Sequence, residues 1–454
     1  MGQDPVWRLL LRFSLPAIVS MTAASSYGLI DAIFIGRLGP AALAAMGVTF
    51  PLTLSFVAIS SGTGVGVTSL IARSLGAGDQ ESADRTAGAS ITLCFLLSAV
   101  IAAVCLPLLD GIMRALGAND IVLPPARSYA FLLIVFNIFS YLLMILANLI
   151  RADGNPVFSS SVSIAAALLN VLLDPIFIFG FGPVPSMGLQ GAAVATVLAQ
   201  AAGSAVNCVY VFSGRTGYTF KAAYFIPRLK ILAGIYRVGT ASIVRSGAQL
   251  VVMGVINNTA AAFGVVPLAI LGVLVRVGRF VHMPILGLGQ GMLPLIGYNY
   301  GAGKKCRISE VLFKGALAGS CWTFGCWLAV MLFPTQIMSV FSGSGEFLRE
   351  GAWAARLYGM AFFTLVLRTV PGLFFQGIGK GMPAVVLTGA QSIIFLLIPI
   401  LVLPRFFGLT GLWLAFPVAD ILGLVFGQLW MNGELRRQGM NLLWWKSRGG
   451  DERS

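Results

Sequence analysis

An aspartate stands inside one of the most apolar stretches of this chain, ALLNVLLDPIFIFG. Asp174 follows Asn170 by four residues, and Pro175 comes directly after it. Residues four apart in a helix lie on one face, one turn apart, so the amide and the carboxyl share a face. A carboxyl group in an apolar run of membrane-spanning length is costly in lipid, and by default it marks an ion or proton path. Asp31 is a second such residue, one helical turn after Tyr27 in SYGLIDAIFIG, and Asp420 in AFPVADILG is a third. No other acidic residue falls well inside an apolar run of the chain.

Two buried carboxyls suit two kinds of chemistry. Burial disfavours the charged form of a carboxyl, and a second carboxylate nearby disfavours it further, so such a pair holds a proton near neutral pH. Alternatively, two carboxylates joined by amide and hydroxyl oxygens form a hard oxygen cage suited to a small cation such as Na⁺. The competing reading is that Asp31 and Asp174 brace helices or pair with buried arginines. The rarity of acids inside membrane spans favours the functional reading.

The second half of the chain differs in sign. Arg245, Arg276, Arg279 and Arg368 lie within or near apolar runs, together with the sole histidine, His282, and with Asp420. Arg276 and Arg279 are three apart and share a face. An internal ion-pair network including Asp420 is the favoured expectation, because unpaired buried charge is so costly. A polar wall facing substrate is the alternative, and arginines near span ends also snorkel to the interface. Positive charge there counts against a purely cationic substrate range.

These residues need elements that cross lipid. The chain has 454 residues, of which 57% are hydrophobic and 10% charged; soluble proteins carry about a quarter charged residues. Apolar runs of about 20 residues, each long enough to span a bilayer, recur twelve times. They lie near residues 10–35, 46–72, 87–109, 127–149, 158–181, 189–213, 235–259, 266–298, 311–333, 352–376, 383–404 and 409–432. The first is too long and too polar at Asp31 for a cleaved signal peptide. The expected fold is an all-α integral membrane protein with twelve transmembrane helices in two pseudo-symmetric six-helix lobes.

The pseudo-symmetry is written in the sequence. Residues 12–78 match residues 237–303 at a constant shift: Arg12 with Arg237, Gly62, Gly64 and Gly66 with Gly287, Gly289 and Gly291, and Gly76-Ala77-Gly78 with Gly301-Ala302-Gly303. Further on, with small gaps, Pro156 matches Pro383 and Gly188 matches Gly408. This alignment sets Asp31 against Ile256 and Asp174 against Leu403, so the acidic chemistry is concentrated in the first half. Duplicated halves of this kind mark transporters, with binding sites at or near the repeat interface and alternating access by rocking of the halves. The expected divisions are an N-terminal lobe at 1–213, a connecting loop at 214–234, a C-terminal lobe at 235–435 and a basic tail at 436–454.

The net charge of +14 reads as topology rather than nucleic-acid binding. With both ends on one side, that side collects twenty basic residues in its loops and span ends, against six on the other. The positive-inside rule then places both termini in the cytoplasm of a bacterial or archaeal cell. Some attraction to anionic lipid follows. The six cysteines include no C-x-x-C pair and read as apolar filler.

The segments SYGLIDAIFIGRLGPAALAAMGV, GTGVGVTSLIARSLGAGD, LLNVLLDPIFIFG and GLQGAAVAT, with RFVHMPILGLGQGMLPLIGYNYGAG from the second half, resemble the multidrug and toxic compound extrusion (MATE) family. The likeness covers residues 8–435 and is nearer to its MepA-like and DinF-like branches than to its NorM type. It implies an antiporter that expels amphipathic, mainly cationic organic compounds in exchange for H⁺ or Na⁺, in the inner membrane, with a role in antibiotic resistance. It also implies a cation-coupling site of Asp31, Asp174, Asn170 and Thr196, with Tyr27 as a hydrogen-bond partner. Those four oxygen-bearing residues other than Tyr27 are the ones that would hold Na⁺.

Other readings are weaker. A flippase for lipid-linked precursors is the nearest rival, since buried arginines bind phosphates. A membrane-embedded lipid enzyme would need a convergent acid, base or metal set, and only Asp31 with Asp174 would supply one. The sequence has no P-loop, no HExxH, no serine nucleophile elbow and no metal-spaced Cys/His cluster, so enzyme activity is not expected. No cofactor beyond the coupling ion is expected. The expected partners are small amphipathic molecules and the bilayer, with no nucleic acid, and the protein is expected to act as a monomer.

Overall fold

The structure, a computed structural model, describes residues 2–341 and 344–440, without the side chains at 24–27, 29 and 250. The first half of the chain forms α1 (Val6–Gly36), α2 (Pro40–Gly76), α3 (Gln80–Cys105), the short α4 (Leu109–Ala115), α5 (Leu123–Val135), α6 (Asn137–Asp153), α7 (Pro156–Phe179) and α8 (Leu189–Phe212). The second forms α9 (Leu229–Ala261), α10 (Val265–Gly301), α11 (Lys305–Leu332), the short α12 (Pro334–Ser339), α13 (Gly345–Gly359), α14 (Leu365–Gly377), α15 (Gly381–Gly389) and α16 (Phe395–Arg437). A π-helical turn at Ala390–Ile394 joins the last two.

Local chemistry sets the helix starts. Asp79 caps α3 by accepting from the Ser82 amide at 2.9 Å, and Asn155 caps α7 by accepting from the Phe158 amide at 3.2 Å. Proline stands in the first turn of α2 and of α7, where its missing N–H costs nothing. Large apolar side chains such as Leu172, Val209, Phe406 and Leu429 remain exposed, as expected of surfaces that meet lipid tails.

Among the described residues, ten helical stretches are long and apolar enough to span a membrane, and the α5–α6 pair, bent by 46°, makes an eleventh. The longest stretch, Gly381–Arg437, has 57 residues, about 85 Å at 1.5 Å per residue. That is more than twice a bilayer core of about 30 Å. Within it Gly408 leaves the helix at φ 56, ψ −139, so it divides into two spans. The twelve expected spans are therefore all present. The repeat persists in detail. The α5–α6 bend at Phe136 recurs as the break between α13 and α14, and Gly188 ahead of α8, at φ 55, ψ −133, is close to the conformation of Gly408.

The chain forms two compact units. One comprises Leu15–Gly239, and the other residues 2–14 with the described part of 240–454. Both divisions fall inside a helix, α1 after Ser14 and α9 after Gly239, and those positions are equivalent in the repeat. Residues 2–14, counted with the first half in sequence, thus pack with the second unit. Val6, Leu9, Leu10 and Phe13 are buried in its core, and Lys304 and Arg307 donate to the carbonyls of Gly2 and Asp4. Residues 214–239 likewise belong to the first unit. A Cβ on Gly66 of α2 would lie 2.1 Å from the Ile235 carbonyl oxygen, so α2 and the start of α9 touch backbone to backbone.

The connecting segment is bound to the first unit along its length. Tyr218 donates to the Leu149 carbonyl at 2.9 Å, Asp153 accepts from the Gly217 amide at 3.0 Å, and Thr219 donates to Asp84. Thr92 donates to the Phe225 carbonyl at 2.6 Å. Burial pushes the Tyr218 phenol well above its ordinary pKa, and the neighbouring Asp153 and Asp84 add to the effect. A segment expected only to link two lobes is in fact folded structure.

Candidate cation-coupling site

Three of the predicted residues meet between α7 and α8. Asn170 Nδ2 donates to Asp174 Oδ1 at 3.1 Å, one turn along α7, and to Thr196 Oγ1 of α8 at 3.4 Å. Asp174 is fully buried and Asn170 nearly so. Two features build this junction. Gly191 lets α8 close on α7: a Cβ there would lie 2.2 Å from the Phe177 carbonyl oxygen. Pro175, inside α7, has no N–H, so the Val171 carbonyl loses its helical partner.

Asp31 on α1 is buried as well, at 5% exposure, and lies within electrostatic range of Asp174. The Tyr27 side chain lies outside the described residues. Among the described residues, three buried oxygens of this group have no hydrogen-bond partner: Asp31 Oδ1, Asn170 Oδ1 and Asp174 Oδ2. Buried polar atoms are nearly always satisfied. Three unmet acceptors on three neighbouring residues, all of them oxygens, suit a proton or a hard cation.

The second unit lacks this chemistry at the equivalent place. A Cβ on Gly411 would meet the Leu403 carbonyl oxygen at 2.3 Å, just as Gly191 meets Phe177. By that contact Phe177 corresponds to Leu403, and Asp174 to Ile400, also fully buried. The sequence alignment had placed Asp174 against Leu403. The connection after α7 is longer than the one after Leu403, and the gap was set on the wrong side of it. The counterpart is apolar either way.

Of the six polar residues singled out in the second half, the structure gathers four. Arg368 Nη1 of α14 bonds Asp420 Oδ1 of α16 at 2.5 Å, which realises the expected pairing. His282 of α10 is in electrostatic range of Arg368 and of Arg245 on α9. Arg276 and Arg279 share a face, but that face is exposed, so they stand outside the cluster. The helix is apolar on both its lipid and its protein sides, and sequence could not say which way the pair turned.

Sequence reading also missed several members. Gln391, in the π-helical turn, donates to the carbonyls of Arg368 and Gly423 at 3.2 and 3.0 Å. Tyr358 lies in electrostatic range of Asp420 and Arg368. In the first unit Arg151, counted as a cytoplasmic loop charge, is buried and donates to Asn148 Oδ1 at 3.2 Å. A glutamine inside an apolar run was the one signal that could have found Gln391.

Two lobes of repeated helices that span lipid, one of them holding buried carboxyls with acceptor oxygens unpaired among the described residues, define a polytopic membrane transporter. Comparison with known proteins makes the class specific. The MatE family profile matches residues 16–176 and again residues 241–401, the two halves of the repeat, and the chain belongs to that family. It is similar to the Multidrug export protein MepA of Staphylococcus aureus (strain MSSA476), with 27% identity over 429 residues and 92% of each chain covered. It is also similar to an FAD transporter of Shewanella oneidensis, with 26% identity over 428 residues and 92% of each covered. A solved structure, described as the outward-facing conformation of a multidrug resistance MATE family transporter of the MOP superfamily, superposes with a TM-score of 0.90. Its identity is 26%, with 96% of this chain and 97% of that one covered.

Proposed function

We propose that this protein is a secondary active efflux antiporter in the inner membrane, with both termini cytoplasmic. It exchanges amphipathic organic molecules for H⁺ or Na⁺ by alternating access, and Asp31, Asp174, Asn170 and Thr196 form the coupling site. The observation that carries this reading is the set of three buried oxygens on Asp31, Asn170 and Asp174 that have no partner among the described residues. A coupling ion satisfies them when it binds, and their desolvation disfavours the empty site when it leaves. Family membership supports the transport of small molecules, and the MepA relative is named for multidrug export.

The ion would act by differential binding. A two-state equilibrium shifts only by as much as the ligand prefers one state. Neutralising the Asp31/Asp174 pair removes like-charge repulsion between α1 and α7, and so favours whichever arrangement brings them close. Dye transport in everted vesicles, with pH and Na⁺ gradients imposed separately, tests the assignment and identifies the ion. Asp31→Asn and Asp174→Asn are each expected to abolish gradient-driven transport; full transport by both variants would sink the coupling site.

A further inference from the structure

Arg151 stands in the last turn of α6, inside the first unit, with only 7% of its surface exposed. No carboxylate lies within ion-pair distance of it among the described residues. Its partners are neutral. Nη1 donates to Asn148 Oδ1 at 3.2 Å, which also accepts from Thr68 Oγ1 at 3.1 Å, and Nη2 reaches Ser159 Oγ at 3.5 Å. Nε has no hydrogen-bond partner among the described residues. Nor is the guanidinium spent on the helix end: the Leu149 carbonyl accepts from Tyr218, and those of Ile150 and Arg151 accept from the amides of Asn155 and Gly154. The fold does not require the charge either. A Cβ on Gly64 would meet Asn148 Nδ2 at 2.4 Å, and one on Gly289 would meet Leu373 Cδ2 at 3.1 Å. Asn148 therefore corresponds to Leu373 in the second unit, Arg151 to the neutral Gln376, and Ser159 to Ala384.

A guanidinium stays charged in any protein environment, and a buried charge without its opposite is strongly destabilising. The Nε–H and one N–H of Nη2 point the same way, side by side, and this edge holds an anion through two parallel hydrogen bonds. In Arg151 the edge carries only the long contact to Ser159, whose own proton goes to the Ala147 carbonyl at 2.9 Å. Ser159 closes the first turn of α7, where the helix dipole favours negative charge. Ser160, the next residue, has a buried hydroxyl with no partner among the described residues. We propose that the Nε–Nη2 edge of Arg151, at the first turn of α7, binds a small inorganic anion, chloride or phosphate. The anion supplies the missing counter-charge and ties the end of α6 to the start of α7. The site is separate from the proposed coupling site: Ser159 precedes Asn170 by eleven residues, ~16 Å of helix. The inference does not rest on which ion or substrate the protein carries.

The test uses the full-length protein in phosphatidylcholine nanodiscs, with sodium gluconate replaced by sodium chloride or sodium phosphate at constant Na⁺ and ionic strength. Two readouts are taken: excess line broadening of the chloride NMR signal, and the melting temperature. Saturable broadening identifies chloride as a ligand, and its removal by phosphate shows that both anions share the site. A melting rise with phosphate and no chloride broadening identifies an oxyanion site. The favoured anion is expected to raise melting by roughly 2–4 °C at ten times its dissociation constant. Arg151→Gln should weaken binding tenfold or more and melt at a temperature independent of the anion. Arg151→Lys keeps the charge but loses the paired donors, so it should bind more weakly than the unaltered protein. Replacing the exposed Arg276 and Arg279 together with glutamine should change nothing. Absence of saturable binding of either anion to the unaltered protein would overturn the proposal, and so would affinity within twofold in Arg151→Gln. If Arg151→Gln does not fold, full affinity in Arg151→Lys overturns it instead. No gradient is imposed and neither Asp31 nor Asp174 takes part, so failure here leaves the coupling assignment standing.

Discussion

Asn170→Ala is the most informative single change at the proposed coupling site. It removes the donor that fixes Asp174 Oδ1 at 3.1 Å, the 3.4 Å contact with Thr196, and one of the three unmet oxygens. It leaves both carboxylates in place. A hydrogen bond to a charged group contributes about 1.5–3 kcal/mol net. Each 1.4 kcal/mol is tenfold in an equilibrium constant, so the coupling cation should bind roughly 10- to 150-fold more weakly. Thr196→Val removes only the longer, neutral contact, about 0.5–1.5 kcal/mol, for a loss of roughly 2- to 10-fold. The assay is substrate efflux from proteoliposomes as a function of Na⁺ concentration on the driving side, read as the concentration giving half-maximal rate. The order Asn170→Ala, then Thr196→Val, then unaltered protein is expected, with maximal rates similar once the ion saturates. A half-maximal concentration within twofold of the unaltered protein for Asn170→Ala would refute the role of these oxygens as cation ligands.

Three further outcomes follow from the packing. Asp420→Asn leaves the Arg368 guanidinium without its carboxylate, and breaking a buried pair costs about 3–5 kcal/mol. Melting of the detergent-solubilised protein should fall sharply, and Arg368→Gln added to it should recover part of the loss. Gly66→Ala places a Cβ 2.1 Å from the Ile235 carbonyl oxygen, so α9 must move outward by about 1 Å, at an overpacking cost of about 1–3 kcal/mol; unchanged melting would contradict the backbone contact. Asp79→Ala removes the α3 cap, worth about 1 kcal/mol. Hydrogen bonds from the Ser82 side chain and amide hold the Asp79 carboxyl below its usual range, so its contribution is present above the unfolded carboxyl pKa of about 3.9. It is lost as pH falls through the lower, folded value. The stability difference between unaltered protein and Asp79→Ala should accordingly be seen at pH 7 and vanish in strong acid.

Much of the candidate site was legible before any fold was known. Asn170 and Asp174 share a helix face by spacing alone, and the duplication showed that the fold itself does not require the Asp174 charge. The bond to Thr196 needed the resemblance to related transporters to foresee it, because α7 and α8 touch through tertiary packing. Membership of the second cluster was harder. Arg276 and Arg279 looked equivalent to Arg245 in sequence, yet two are exposed and one lies at a helix midpoint beside His282. The Tyr27 side chain lies outside the described residues.

The sequence by itself determined the twelve spans, the twofold repeat and the concentration of acidic chemistry in one half. These follow from hydrophobic length, from residue identity at a fixed offset and from the cost of a carboxyl in lipid, which are all properties of the chain read in one dimension. Only the tertiary structure decided that residues 2–14 pack with the second unit, that residues 214–228 are folded onto the first, and which arginine pairs with Asp420. In a soluble helix the polar face announces the direction of the core. In a membrane helix lipid and core are both apolar, so the pattern of residues does not fix the rotation of a helix, and close backbone packing at positions such as Gly66 and Gly191 settles it instead.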